Sequence, residues 1–447
     1  MISSQESGGS DAKSLVTGGG KKRSLGRSHS SISKVLKILG PGLITGAADD
    51  DPSGIATYSS VGAQFGYLML WTMPFIYPFM TAIQEICARI GRVTGHGIAG
   101  NMRRCYPSWA LYAVVGLLLF ANVINLGADI GAMGAAVNLL VGGPAPLYCV
   151  IVTGLSLLLQ IRMPYQRYAT VLKWLTLSLF AYVATAFVVK IDWLKAIHGT
   201  FLPNLSLNQD YLQALVAVFG TTISPYLFFW QSSEEVEEIE STPQEKALKR
   251  APSQGPEQLK RIKVDTYLGM ALSNLIAYFI ILTVAATLNA HGQKNIDSAE
   301  QAAQALQPIA GKFASLLFSL GIIGTGLLAL PVLAGAGAYA IGEALHWPVG
   351  LERKASQAKA FYAVLALSTL VGLSLNFIGI NPVRALVWSA MVNGVAAAPV
   401  MCFLMLMASS RKVMGKFALP LYLKILGWGA TLVMGASAAG MLWPASK

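Results

Sequence analysis

The chain has 447 residues, of which 54% are hydrophobic and only 12% charged, and its mean hydropathy is +0.55. Soluble domains carry about 25% charged residues, so this composition excludes an ordinary soluble protein and indicates a polytopic membrane protein in contact with the lipid bilayer. The net charge of +12 is spread over short polar segments between apolar runs, which excludes a basic groove and a nucleic-acid partner.

A polar tail is the first predicted element. Residues 1–37 are rich in Ser, Gly, Lys and Arg at their start, and no apolar segment with a cleavage site follows residue 30 directly. We therefore expect a disordered cytosolic tail.

Apolar stretches typical of membrane helices recur after the tail. They lie at 38–66, 67–90, 109–141, 145–161, 168–190, 211–233, 264–289, 309–343, 360–378, 382–408 and 418–441. The pattern predicts an all-α membrane protein with about 11 spanning helices. Counts of ten and twelve stay open, because the fourth run is short and the third and eighth are long.

The distribution of basic residues predicts the orientation. If odd-numbered spans run outward, 27 of the 33 Lys and Arg lie on one side of the membrane and six on the other. Basic residues accumulate in cytoplasmic loops, so the amino terminus is predicted in the cytosol and the carboxyl terminus outside. We expect a multi-pass protein of a bacterial inner membrane.

The first span is interrupted by the segment GAADDDPSGIA. A carboxylate at membrane depth costs about 3 kcal/mol or more, and Pro52 removes a backbone donor, so the helix is predicted to unwind there. Exposed carbonyls and a carboxylate are ligands for a cation. Asp49 and Asp50 have a second interpretation, as caps of the following half-helix or as groups facing water in the cavity.

The sixth span contains a second interruption, GTTISPYLFF, in which Gly220 and Pro225 bracket small polar residues. A structural kink is the alternative interpretation. Paired interruptions in the first span of each half favour a midplane site in an inverted-repeat transporter. We therefore predict a 5+5 inverted repeat of the amino-acid/sodium symporter type, with interrupted helices 1 and 6. The predicted parts are a first repeat at 38–190, a second at 211–408 with a cytosolic connector at 232–263, and a peripheral helix at 418–441.

Few other polar groups lie inside the spans. Asp129 has no charged neighbour in sequence and is surrounded by small residues, so we expect it to face a polar pathway. Asn122, Asn125 and Asn393 fit interhelical hydrogen bonds, with the lining of the site as an alternative for Asn393. Glu85 lies four residues before Arg89, which favours a local ion pair.

No histidine is predicted to lie at the midplane of the membrane, since each one falls in the tail, in a loop or at the end of a span. They are His29, His96, His198, His291 and His346. Proton relays through a bilayer commonly use His with Asp or Glu, so coupling to protons is weakly supported. The sequence also lacks nucleotide-binding and hydrolase motifs in a usable context, which argues against an enzyme.

The residues around both interruptions resemble those of a known family. The run GPGLITGAADDDPSGIATYSSVGAQFGYLMLW, continued by QEICARIGRVTG, is similar to the first two spans of the natural resistance-associated macrophage protein (NRAMP) divalent-metal transporters. Their first helix carries Asp-Pro-Gly-Asn, and GTTISPY falls where they have Ala-x-x-Met-Pro-His. The likeness continues through AGAGAYAIGE and SSRKVMGK and covers most of residues 38–420. It implies the same inverted-repeat fold.

The departures from the family pattern concern the metal ligands. Asp51 keeps the metal-binding carboxylate, but Gly54 replaces the family's Asn and Ser224 replaces its Met. Thr221 stands where the family uses an Ala carbonyl. Loss of the thioether removes a soft ligand, whereas hard Mg2+ takes oxygen ligands and keeps several waters. We expect Asp51 to be the principal ligand, helped by backbone carbonyls near Ala48 and Thr221 and by the Ser224 hydroxyl.

Further departures concern protons. Tyr226 replaces the family's His, and the acidic pair of the third span is reduced to Asp129, with Leu126 at the other position. The pattern is similar to the NRAMP-related magnesium transporters, which implies movement of Mg2+ and Mn2+ without proton coupling.

The leading hypothesis is therefore a divalent-cation importer for Mg2+, with Mn2+ as a second substrate. A proton-coupled Mn2+ or Fe2+ symporter is one alternative, and a membrane receptor or scaffold with a structural ion site is another. No cofactor is expected, because the metal is the substrate. Nothing in the sequence requires an oligomer, and a monomer is compatible with it.

Overall fold

The computed structural model of the chain describes residues 41–163, 177–203, 205–206 and 208–442. These residues form helices, short 3-10 segments and loops, with no strand among them. The predicted tail at 1–37 and the start of the fifth predicted span at 168–176 lie outside the described residues.

The helices of four or more turns, together with the shorter helices that position them, are numbered in chain order. They are α1 (Pro41–Asp49), α2 (Pro52–Phe65), α3 (Thr72–Thr94), α4 (Ile98–Cys105), α5 (Ser108–Val141), α6 (Ala145–Arg162), α7 (Phe180–Val188), α8 (Trp193–Phe201), α9 (Gln209–Thr222), α10 (Pro225–Ser241), α11 (Gly255–Thr287), α12 (Ala299–Gln304), α13 (Ala314–Leu345), α14 (Lys359–Ser374), α15 (Pro382–Ser409) and α16 (Leu421–Leu442).

Most predicted spans correspond to helices that could cross a membrane. Eight helical segments in the described part of the chain are long and apolar enough to do so. They match the third, fourth and sixth to eleventh predicted spans. The first span is the broken pair α1 and α2, the second is the charged helix α3, and the described part of the fifth is Leu177–Val188. The predicted all-α polytopic fold is confirmed.

The predicted connector at 232–263 is largely helical. Helix α10 continues to Ser241 and α11 begins at Gly255, so only the residues between these helices form a connection. The Glu-rich end of α10 is stabilised by basic partners, since Glu235 pairs with Arg261 at 2.5 Å and also contacts Arg92. Polarity of a segment does not distinguish a loop from a helix end that emerges from the membrane.

Both broken helices are held against their neighbours through glycine contacts. A Cβ atom at Gly46 of α1 would collide with the backbone of Gly269 in α11, and one at Gly220 of α9 would collide with the backbone of Gly394 in α15. Small residues allow this close approach of helix backbones inside a membrane. The long helices α5 and α13 pack along each other and complete the centre of the bundle.

The two ends of the helix bundle differ, because one contains a cavity and the other is held by contacts of α1. At one end, α2, α9, residues 294–297 and α15 surround a cavity of about 430 Å³. At the other end, α1 is fastened to the bundle, because the Gly42 amide donates to Asp265 Oδ2 at 2.7 Å and the Thr45 hydroxyl donates to Gln231 Oε1 at 2.5 Å. The cavity therefore lies at one end of the bundle, and the contacts that fasten α1 lie at the other.

Candidate functional site

The first helix break is organised by Asp51. Helix α1 ends at Asp49 and α2 begins at Pro52, whose missing N–H leaves no unsatisfied donor at this position. Asp51 is the N-cap residue in an extended conformation, with φ −67° and ψ 169°. Its Oδ1 accepts hydrogen bonds from the Gly54 amide at 2.7 Å and the Ser53 hydroxyl at 2.9 Å. One carboxylate oxygen therefore holds the start of α2.

The second carboxylate oxygen of Asp51 faces two other helices. Asn125 Nδ2 of α5 donates to Oδ2 at 3.0 Å, and the Tyr226 hydroxyl of α10 lies 3.3 Å away. The same hydroxyl is 3.3 Å from the Ala48 carbonyl at the end of α1. Asp51 is 1% exposed, and no Lys, Arg or His forms an ion pair with it within the described ranges. Only neutral donors therefore meet Oδ2.

The second helix break lies between α9 and α10. Ser224 is the N-cap residue of α10 and is extended, with φ −86° and ψ 137°. Its hydroxyl donates to the Gly220 carbonyl at 2.6 Å and the Thr221 carbonyl at 3.0 Å. The Ser224 oxygen and the Thr221 carbonyl each keep a lone pair that could face a cation.

The two breaks meet, as the sequence predicts. A Cβ atom on Gly54 would lie 3.3 Å from Thr221 Oγ1 and 3.3 Å from the Asp49 carbonyl. Tyr226 and Ala48 form a second contact between the breaks. The expected ligands therefore lie in one region, and their role as ligands remains a prediction. They are Ala48, Asp51, Gly54, Thr221 and Ser224.

Asp49 and Asp50 face a different neighbour. The Ser273 hydroxyl of α11 lies 2.7 Å from Asp49 Oδ2 and 3.1 Å from Asp50 Oδ1. Neither residue caps α2, because Asp51 occupies that position. The capping interpretation of Asp49 and Asp50 is thus replaced by contact with α11, since three consecutive side chains at an unwound turn cannot all point in the same direction.

Asp129 and Asn393 are among the buried polar side chains that lack well-directed partners. Asp129 faces the Ser53 backbone without a hydrogen bond of ordinary geometry, and both amide atoms of Asn393 are unpaired among the described residues. Buried polar atoms are nearly always paired with protein, water or an ion. Both side chains are therefore suited to contact water or a cation, and the expectation that Asp129 faces a polar pathway stays a prediction.

The remaining polar predictions separate into structural and site contacts. Asn122 donates to the Leu333 carbonyl of α13 at 2.8 Å, and Glu85 pairs with Arg89 at 2.6 Å, so both have the predicted structural roles. Asn125 also forms a hydrogen bond between helices, as predicted, but its partner is the Asp51 carboxylate, and that contact with the break was not predicted from the sequence. The available signal is its position one helical turn before Asp129, which places both side chains on the same face of α5.

The cavity leads towards the two breaks. Thr57 and Gln64 of α2 line it at a spacing of seven residues, and Gly54 lies on the same face one turn closer to the break. Ala217 of α9 also lines it, and Thr221 follows on that face four residues later. The two lining faces therefore converge on Gly54 and Thr221.

The wall of the cavity carries charges of both signs. Asp210 and Lys294 line it, and Arg384 pairs with Asp297 at 3.1 Å. Two acidic and two basic side chains leave no strong field that would concentrate cations. The wall of the cavity therefore provides no strong cation site of its own.

The chemistry of the breaks suits a hard, partly hydrated cation. Across the described residues, no three His, Cys, Asp or Glu side chains converge as a chelating group. The region offers the Asp51 carboxylate with amide, hydroxyl and carbonyl oxygens, which are the ligands that Mg2+ and other hard cations accept.

Comparisons with known proteins agree with this geometry. The family described as natural resistance-associated macrophage protein-like matches residues 42–444. A divalent metal cation transporter, MntH, of Pectobacterium carotovorum subsp. carotovorum (strain PC1) is 27% identical over 389 residues, which cover 85% of this chain and 87% of that protein.

Solved structures share the fold. The manganese transporter of Eremococcus coleocola, in complex with an aromatic bis-isothiourea compound, has a TM-score of 0.75 at 18% identity and covers 92% of this chain and 87% of its own. Mhp1, a nucleobase-cation-symport-1 family transporter, has a TM-score of 0.53 at 14% identity and covers 92% and 94%. These similarities confirm the symporter-type fold with its interrupted helices 1 and 6. Since the family match spans almost all of the described chain, the chain belongs to the natural resistance-associated macrophage protein-like family of membrane transporters.

Proposed function

We propose that the protein imports divalent metal ions, with Mg2+ as the main substrate and Mn2+ as the second, without cotransport of protons. The observation that carries this proposal is the buried Asp51 carboxylate, whose Oδ2 faces two helix breaks and is met only by neutral donors. Such an uncompensated carboxylate attracts a cation. The names of the relatives, a divalent metal cation transporter and a manganese transporter, support the same substrate class.

The preference for Mg2+ rests on the atoms around Asp51. Gly54 and Ser224 offer little bulk and no sulfur, and the nearby donors are oxygens. Mg2+ retains several waters when it binds to proteins, whereas softer ligands favour Mn2+ and later transition metals. A site of oxygen donors without sulfur therefore favours Mg2+.

The absence of proton coupling rests on the groups that could carry protons. Tyr226 lies beside Asp51, and a phenol does not titrate near neutral pH as an imidazole does. Asp129 lies near Asp51 and faces the Ser53 backbone, and neither of its carboxylate oxygens has a well-directed hydrogen-bond partner within the described part of the protein. With a tyrosine in place of the imidazole, these acids lack the His partner that proton relays commonly use.

The membrane potential supplies the driving force for uptake in the predicted orientation. With the amino terminus in the cytosol, the cavity opens outside and the contacts of α1 close the cytosolic side. An inside-negative potential of 100 mV favours entry of two charges by about 4.6 kcal/mol, so uptake needs no proton gradient.

The proposal is tested by reconstituting the full chain in liposomes that contain a dye for Mg2+ or Mn2+. We expect saturable uptake of both metals that increases with an inside-negative potential set by K+ and valinomycin. Protein-free liposomes and the Asp51→Ala variant serve as controls and should show only leak. Wild-type uptake no greater than leak, for both metals, would overturn the proposal.

A proton-coupled Mn2+ or Fe2+ symporter is the second candidate. The observation that favours it is the buried, unpaired Asp129 carboxylate beside the first helix break. Water in the cavity could connect this acid to Asp51. Proton entry that accompanies metal would then favour the symporter.

A further inference from the structure

We propose that Asn125 is a ligand of the transported ion and helps to set its specificity. In the structure its amide nitrogen donates to Asp51 Oδ2, and on binding of a cation the amide turns and presents Oδ1 to it. This inference rests on the proposed function and assigns a further residue to the same site.

The contacts of Asn125 leave one end of the amide unused. Its side chain is fully buried on α5, and Nδ2 lies 3.0 Å from Asp51 Oδ2. Its Oδ1 has no hydrogen-bond partner among the described residues. Buried amide oxygens are normally paired, and Asn122 Oδ1 also lacks a partner among the described residues, so the contact of Nδ2 with Asp51 is what distinguishes Asn125.

Electrostatics require the amide to change when a cation binds. The Nδ2 hydrogens carry partial positive charge and point at the carboxylate oxygen that a metal ion would use. A dication at Oδ2 repels them and attracts the amide oxygen. The terminal torsion of Asn is broad and nearly two-fold, so a half-turn exchanges nitrogen and oxygen in almost the same volume. The unused Oδ1 then takes the position that the donor leaves.

Asn125 can also supply the amide oxygen that is missing at position 54, where this chain has glycine. A side chain at position 54 would start 3.3 Å from both Thr221 Oγ1 and the Asp49 carbonyl, so an amide there would crowd the space between the breaks. Asn125 supplies an amide oxygen from α5 and leaves that space open. The site thus combines one carboxylate and one amide oxygen, which suits Mg2+.

Asn122 provides a matched control on the same helix. It lies three residues before Asn125, is also buried, and donates to the Leu333 carbonyl at 2.8 Å. Its amide joins α5 to α13 and does not contact Asp51. Replacing it therefore tests the structural effect of losing a buried amide from α5.

The test compares concentration dependence of Mg2+ and Mn2+ uptake in proteoliposomes for wild type, Asn125→Leu, Asn125→Asp and Asn122→Leu. Loss of one ligand in Asn125→Leu should raise KM for Mg2+ by roughly tenfold to hundredfold, with a smaller change in maximal rate. Asn125→Asp keeps the shape and adds a charge, so KM should fall and release should slow the maximal rate. Asn122→Leu should lower the melting temperature and leave KM within about threefold of wild type.

The outcomes separate this inference from the proposed function. If wild type transports and both Asn125 variants keep wild-type KM and maximal rate, the role of Asn125 is overturned while the proposed function stands. If Asn125→Leu does not fold, the isosteric Asn125→Asp variant decides alone, and an unchanged KM contradicts the proposal. If wild type transports no divalent ion, both fail together.

Discussion

Removing the charge of Asp51 while keeping its shape separates the two roles of this residue. Asp51→Asn retains an oxygen that can accept from the Ser53 hydroxyl and the Gly54 amide, so the cap of α2 survives. Asp51→Ala removes both the cap and the charge. The pair of variants therefore distinguishes a loss of ion binding from a loss of helix structure.

The expected magnitude follows from Coulomb's law. A dication about 4 Å from the Asp51 charge gains roughly 8 kcal/mol at an effective dielectric constant of about 20. Dehydration of the ion offsets part of this gain. If half remains, loss of the charge weakens binding by about 4 kcal/mol, or roughly 10³-fold in Kd. Loss of the cap alone lowers the free energy of unfolding by about 1 kcal/mol.

The assay combines initial rates of Mg2+ uptake with thermal melting of the metal-free protein. Both variants should lose measurable uptake at millimolar Mg2+. Asp51→Ala should melt below Asp51→Asn, because both variants remove the uncompensated buried charge and only Asp51→Asn keeps the cap. A KM for Asp51→Asn within threefold of wild type would refute the assignment of Asp51 as principal ligand.

Three further predictions address selectivity, closure and pH. Combining Gly54→Asn with Ser224→Met should reduce room and add a soft ligand, raising the Mn2+/Mg2+ uptake ratio by roughly tenfold; an unchanged ratio argues against this account of selectivity. Asp265→Ala should leave the Gly42 amide without its partner and speed hydrogen exchange in α1 but not in α2; equal exchange in α1 would show that this contact does not hold the closed side. Burial and nearby arginines lower the pKa of His96 to about 4, below its unfolded value of about 6.5, so stability should fall as pH drops from about 6.5 to 4. Thermal melts of His96→Gln should lack that part of the decline, and an identical pH profile would contradict the shift.

The helix breaks could be predicted from sequence because their physical signal is local. Three carboxylates beside Pro52 are too costly for a continuous membrane helix, and Gly220 with Pro225 weakens a second one. The fold likewise follows from the order of apolar segments, and it is confirmed. The sequence did not predict that both ends of the connector at 232–263 are helical. Glu235 in this segment is stabilised by Arg92 and Arg261, and Arg92 is distant in sequence.

The hydrogen-bond partner of each buried polar residue could not be predicted from sequence in the same way. Asn122 and Asn125 have the same chemistry and lie in the same apolar helix, yet one contacts a backbone carbonyl and the other contacts Asp51. Similarly, Asp49 turns towards Ser273 although it is only two residues from Asp51. These differences depend on which helix lies opposite each side chain, and that information is tertiary.

Simultaneous recording of metal entry and lumenal pH in the same proteoliposomes tests the central claim most directly. With an inside-negative potential and equal pH on both sides, we expect Mg2+ or Mn2+ to enter without acidifying the lumen. The rate should depend on the potential and change little with a pH gradient between about pH 6 and 8. Proton entry in a fixed ratio to metal, lost in Asp129→Asn, would contradict uncoupled transport and establish Asp129 with cavity water as a proton pathway.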